Sequence, residues 1–130
     1  MKSKLYKVKQ SKTNQKFQTG DVRDSQEGKG RFDLLPIDAI EALAKHFEAG
    51  AVRYGDDNWL KGIPLKRYLD SALRHLFKEL RGDSDEPHAI ACAWNMLAYW
   101  QTKKLIEDGK LPKELNNMPT IYKRGNNGKI

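Results

Sequence analysis

The stretch between Pro87 and Gly109 constrains this chain more than any other, because it reads as one long helix that is apolar on almost every side. Ile90, Ala91, Ala93, Trp94, Met96, Leu97, Tyr99 and Trp100 follow one another with no charged residue among them. A helix without a polar face belongs in the middle of other elements. The pattern therefore predicts a central, buried helix from Pro87 to about Glu107, stopped by Gly109 and Pro112. The acids just upstream, Asp83, Asp85 and Glu86, suit the positive end of its dipole. Two further helices are predicted around it. After Pro36, the residues Ile37, Ile40, Leu43, Ala44, Phe47 and Ala51 recur at helical spacing, until Tyr54-Gly55-Asp56-Asp57-Asn58 marks a stop and a loop. After Gly62-Ile63-Pro64 a second helix runs from about Leu65 to Arg81. Its apolar stripe is Leu69, Ala72, Leu73, Leu76, Phe77 and Leu80, and Gly82 breaks it. Three helices with short connections give an all-α bundle without internal repeats. The apolar surface left on the third helix is expected to be covered by self-assembly, as a dimer or a tetramer.

At 130 residues the chain suits one domain with arms. Its single cysteine, Cys92, excludes an internal disulfide and points to a reducing compartment. No stretch is long and apolar enough to span a membrane, and the N-terminus lacks the apolar core of a secretory signal. A cytoplasmic protein without membrane contact is the expectation. The formal net charge of +7 is concentrated at the ends. Residues 1–19 hold six lysines and no acid, and residues 110–130 hold five basic residues against Glu114, so the middle is mildly acidic. The division is therefore a basic polar arm at 1–30, a helical catalytic domain at 31–109 and a basic tail at 110–130. Lys4–Lys9 is a candidate short strand within the arm. A nucleic-acid reader more often carries its charge on a folded face, so contact with nucleic acid is expected only through the tails.

Chemistry has few places to reside. His88 and Asn95 are seven apart, hence on one face of the third helix. Asn95 lines a polar cleft or is a hydrogen-bonded core residue. His75 and Glu79 share an edge of the second helix at i, i+4, as metal ligands or as an ordinary surface pair. Glu41 and Glu48 share an edge of the first, where a solvated flank is the plain alternative. Asp83, Asp85, Glu86 and His88 crowd the loop between helices two and three. They form either a polar, dipole-capping loop or an oxygen-rich site for Mg²⁺ or Mn²⁺. Lys29, Arg31, Arg53 and Arg74 are cations available to phosphate. One cysteine and scattered histidines do not make a zinc box, and no phosphate-cradling loop of the P-loop or dinucleotide type occurs.

Several blocks together resemble one family. They are Arg31-Phe32-Asp33-Leu34-Leu35-Pro36, Gly50-Ala51-Val52-Arg53-Tyr54-Gly55, Asn58-Trp59 with Gly62, Leu73-Arg74-His75-Leu76, Gly82-Asp83, and Asp85-Glu86-Pro87-His88 running to Trp94-Asn95. In this order and spacing they are similar to the phage-type dATP/dGTP diphosphohydrolases, small MazG-like proteins of nucleotide metabolism. The resemblance covers about residues 29–100. It implies an all-α NTP pyrophosphohydrolase that converts a purine deoxynucleoside triphosphate to the monophosphate and pyrophosphate. It also implies Mg²⁺ or Mn²⁺ and a homo-oligomer. The EExxE and ExxD acids of MazG-type enzymes are absent. His75, Leu76 and Glu79 stand in place of the first set, and Cys92 and Asn95 in place of the second. The metal set is therefore expected from Glu48, Glu79, Asp83, Asp85, Glu86 and His88. His75, Glu79, Glu86, His88 and Asn95 are expected as the catalytic group. Lys29, Arg31, Arg53, Tyr54, Asn58, Trp59 and Arg74 are expected to bind nucleotide. The readings set against this are a helical protein that senses nucleotide without cleaving it, and one that binds nucleic acid or a host protein.

Overall fold

Each helix starts on the residue after a proline, and glycine marks where each one stops. The computed structural model describes residues 14–124, with α1 at Ile37–Tyr54, α2 at Leu65–Arg81 and α3 at His88–Glu107. Pro36, Pro64 and Pro87 occupy the three N-cap positions, and none offers a side-chain cap. Gly55 and Gly82 cap the far ends of α1 and α2, and Gly109 follows α3 at φ 74°. Gly82 adopts the left-handed conformation at φ 85°, and its N–H donates to Glu79 O while that of Asp83 donates to Lys78 O. These bonds satisfy the last carbonyls of α2 and turn the chain back toward α3.

α3 is the central element, packing against α2 along most of its length and against α1 over a shorter stretch. Its buried line is His88, Ala91, Asn95, Ala98 and Thr102, a 3–4 alternation. Facing it on α2 are Leu65, Tyr68 and Ala72. The seam is tied at both ends by polar contacts. Thr102 donates to the Tyr68 hydroxyl at 3.1 Å, and the His75 and His88 Nδ1 atoms lie 2.9 Å apart.

The all-α bundle and the central third helix agree with the sequence pattern, but the buried faces differ from it. Of the stripe predicted on α2, only Ala72 is fully buried, whereas Leu73, Leu76, Phe77 and Leu80 are exposed. On α3 the large side chains Met96, Leu97 and Trp100 are exposed as well. The reason is size. Alanine, asparagine and threonine along the α3 seam leave little bulk between the helices, and the bulky residues flank this contact. α1 buries no residue completely. It is held through Phe47, whose ring lies 5.9 Å from both Trp59 and Trp94, centroid to centroid.

Residues 111–118, which the charge pattern assigns to a tail, pack on the helices. Met118 sits against the Leu65–Tyr68–Ala98 core, and Leu111 and Leu115 lie over Gly62. Asn117 Oδ1 accepts the N–H of Lys66 at 3.0 Å. That N–H is one of the orphan donors in the first turn of α2, and Pro64 cannot serve it. At the other end, β1 (Asn14–Lys16) and β2 (Val22–Asp24) form an antiparallel hairpin inside the region read as an extended arm. All six strand residues are exposed, so no alternation betrayed the pair. The candidate strand at 4–9 lies outside the described residues. Among the described residues, no helix is long and apolar enough to cross a membrane.

Candidate functional site

The turn after Gly82 brings the loop 83–87 and the first residue of α3 against the middle of α2. His88 is fully buried there, although it opens a helix, because α2 covers it. Its Nε2 lies 2.7 Å from Asp85 Oδ1, and its Nδ1 lies 2.9 Å from His75 Nδ1. A carboxylate only accepts, so the His88 Nε2–H donates to Asp85. Glu86 Oε1 completes the group, 3.4 Å from His75 Nδ1 and 3.8 Å from His88 Nδ1. Burial is the main influence that lowers the His75 pKa, helped by His88, Lys78 and His46 and opposed by Glu86. The His88 hydrogen bond holds the Asp85 carboxyl below the usual range. Asp83 is held low by its paired hydrogen bonds from Arg81.

Two sets of side chains here have ligand atoms close enough to share one cation: His75, Glu86 and His88, and Asp83, Asp85 and His88. The two sets share the His88 ring, whose Nε2 faces Asp85 and whose Nδ1 faces His75 and Glu86. Asp85 engages His88 Nε2 as an acceptor, and Arg81 engages Asp83. The His75–Glu86–His88 set is the freer of the two.

A cavity of about 850 Å³ opens beside this cluster. It lies within the range of small-ligand sites. α1 contributes His46, Phe47, Glu48 and Tyr54 to its lining. The loop from Gly55 to Ile63 contributes Asn58, Trp59 and Lys61, α2 contributes Arg67, Ser71 and His75, and α3 contributes Trp94 and Asn95. One wall is aromatic, with Trp59 and Trp94 meeting edge to face at 6.5 Å and His46 lying 5.8 Å from Trp94. Asn95 is buried and one N–H of its amide donates to Ala91 O at 2.9 Å, which leaves its amide oxygen and its second N–H to offer. The loop carries backbone strain, since Asp57 sits at φ 57° between positive-φ Gly55 and Gly62.

The structure gathers the sequence candidates unevenly. His75, Asp83, Asp85, Glu86 and His88 come together in the cluster. Glu48, Tyr54, Asn58, Trp59 and Asn95 line the cavity. Glu79 is one turn beyond His75, exposed, and in neither ligand set. The four predicted phosphate cations do not line the cavity. Arg31 pairs with Asp33 at 2.8 Å, Arg74 pairs with Asp70, Arg53 lies over the Tyr54 ring at 5.0 Å, and Lys29 stands before α1 with Arg31. Among the described residues, the lysine and arginine that line the cavity are Lys61 and Arg67. These two, together with His46 and Ser71, are what the sequence reading passed over. His46 shares the apolar-spaced face of α1 with Phe47, and that spacing was the available signal.

The family described as dATP/dGTP diphosphohydrolase, N-terminal, matches residues 19–109, a span that includes α1, α2, α3, the cluster and the cavity. No curated protein and no solved structure matches the chain.

Proposed function

The chain belongs to the dATP/dGTP diphosphohydrolase N-terminal family, and from that premise we propose that its cavity takes a purine deoxynucleoside triphosphate and cleaves it to the monophosphate and pyrophosphate. The observation that carries this reading is the position of His75, which both lines the cavity and belongs to the ligand cluster. A nucleotide in the cavity and a cation in the cluster would meet at that imidazole.

The aromatic wall of Phe47, Trp59 and Trp94 supports a flat base, and Asn58 offers a donor and an acceptor to a purine edge. Lys61 and Arg67 are placed for the phosphates, in the role first given to Lys29, Arg31, Arg53 and Arg74. The Asn95 oxygen and Glu48 can orient an attacking water, which adds to the α-phosphorus as the bond to the pyrophosphate oxygen breaks. His75 holds a hydrogen-bonding position toward that water or a ligand position. The residues able to hold a divalent cation are Glu86, His88 and His75, with Asp83 and Asp85 behind them. Such a cation supplies charge neutralisation on the phosphates and a lowered pKa for water. The exposed stripe Leu73, Leu76, Phe77 and Leu80 supports a homo-oligomer, dimer or tetramer, as the working species.

The test is pyrophosphate release from a panel of ribo- and deoxyribonucleoside triphosphates with Mg²⁺, with Mn²⁺ and with EDTA, alongside light scattering for mass. Metal-dependent release from dGTP or dATP, abolished in Glu86→Gln with the helices intact, is expected. Silence with every nucleotide from the folded protein overturns the enzymatic reading in favour of a nucleotide sensor.

A further inference from the structure

The ligand cluster is not built the way an Mg²⁺ site is built. Mg²⁺ favours carboxylates and water in an octahedron, whereas imidazole nitrogens suit first-row transition metals. Here two of the three convergent ligand atoms are histidine nitrogens. We propose that His75 Nδ1, His88 Nδ1 and Glu86 Oε1 form a two-histidine, one-carboxylate site selective for a transition-metal dication such as Mn²⁺, Co²⁺ or Zn²⁺ over Mg²⁺. The proposal rests on the reading that this cluster holds the cation of the hydrolase.

Three observations carry it. The first is spacing. A metal about 2.1 Å from two nitrogens holds them about 3.0 Å apart at a right angle and about 3.4 Å apart in a tetrahedron. The nitrogens are 2.9 Å apart, and the Glu86 oxygen stands 3.4 Å from one and 3.8 Å from the other. Glu86 is half-exposed on a loop and has the freedom to close the remaining few tenths of an ångström. The second is orientation. Asp85 accepts the Nε2–H of His88 at 2.7 Å, which directs Nδ1 toward His75 and Glu86. A carboxylate behind a ligating histidine is the usual support of such sites, because it fixes the ring and raises ligand basicity. The third is rigidity. His88 is fully buried and His75 is four-fifths buried, each on a helix, so the two nitrogens converge without ordering a flexible side chain.

The chain contains three histidines, so His46 serves as an internal control. The experiment follows ¹⁵N-labelled histidine by NMR while Zn²⁺ is added to the full-length protein. Separately, Mn²⁺ binding is followed by loss of the aqueous Mn²⁺ electron-spin resonance signal, with Mg²⁺ as competitor. Zn²⁺ should shift Nδ1 of His75 and His88 and leave His46 in place. One Mn²⁺ should bind per chain and resist a hundredfold excess of Mg²⁺. Asp85→Asn should weaken Mn²⁺ by roughly 10- to 100-fold with the helical circular dichroism unchanged. His75→Ala, at the less buried ring, should remove binding. A shift at His88 Nε2, a response from His46 alone, equal competition by Mg²⁺, or Mn²⁺ affinity unchanged in His75→Ala would each overturn the site. Pyrophosphate release measured on the same samples separates the two claims. Mn²⁺ bound without release from any nucleotide overturns the hydrolase reading alone, and release sustained by Mg²⁺ in His75→Ala overturns the site alone.

Discussion

Gly62→Ala is expected to cost about 2–5 kcal/mol of stability, with the backbone the largest single contribution. Gly62 sits at φ 84°, ψ 146°, a region open essentially to glycine, and placing a side chain there costs about 1–3 kcal/mol. The added methyl would also stand 2.9 Å from Leu115 Cδ1 and 3.0 Å from Leu111 Cδ1. Both are the far ends of leucines, so rotation away relieves the clash for roughly 0.5–1 kcal/mol each. At about 4 °C per kcal/mol for a domain of this size, the melting temperature should fall by about 8–20 °C. Urea unfolding should show an unchanged slope and a lower midpoint. The pair Gly62→Ala with Leu115→Ala distinguishes the two terms, because truncating this leucine should return only its own share of the steric cost, with Leu111 still in place. A loss under about 0.5 kcal/mol for Gly62→Ala, or full rescue by Leu115→Ala, would refute the assignment of the cost to the backbone.

Asn117→Ala should lower stability by about 1 kcal/mol, since it unties the Lys66 N–H from the side chain that caps it, and chemical denaturation would read this directly. Tyr68→Phe should cost about 1–2 kcal/mol by leaving the buried Thr102 hydroxyl short of a partner; adding Thr102→Val should cost less than the two single changes summed. Hydrogen-bond partners hold Asp33, Asp70, Asp83, Asp85 and Asp108 below the ordinary carboxyl range. Their contribution is therefore complete above that range and is lost as protons are forced on, so the melting temperature should drop from about pH 5 to about pH 3; a flat or rising profile would contradict the pairing.

Helix limits were legible because proline and glycine set them. Pro36, Pro64 and Pro87 announce the starts, and Gly55, Gly82 and Gly109 announce the ends. The orientation of those helices was not legible. Leu73, Leu76, Phe77 and Leu80 form a better apolar stripe than Leu65, Tyr68 and Ala72, yet the second set is the buried one. Periodicity reports that a face is apolar, and it does not report which apolar face meets a neighbour. The crowding of Asp83, Asp85, Glu86 and His88 marked the cluster from the sequence, and the i, i+4 logic drew in His75 but also Glu79, which points elsewhere. The predicted phosphate cations lie away from the cavity for a physical reason. Arg31 and Arg74 have acids two and four residues away, and those local partners engage them. Asn117 could not be foreseen at all, since its partner is 51 residues away and no pattern links them.

That strap over Gly62 has a consequence for when the site comes into being during synthesis. The cavity loop and the first turn of α2 are completed by Leu111, Leu115, Asn117 and Met118, which leave the ribosome after all three helices have been made. Helices close on local contacts within microseconds, whereas a contact across 51 residues must wait for the distant partner to emerge. The ligand cluster, set by the short 75–88 connection, therefore depends on near neighbours in the chain, whereas the loop at Gly62 gains its support only from residues 111–118. A chain that ended before residue 111 would keep every residue of the cluster and of the cavity lining, and would lose the packing behind Gly62 that holds the loop in place.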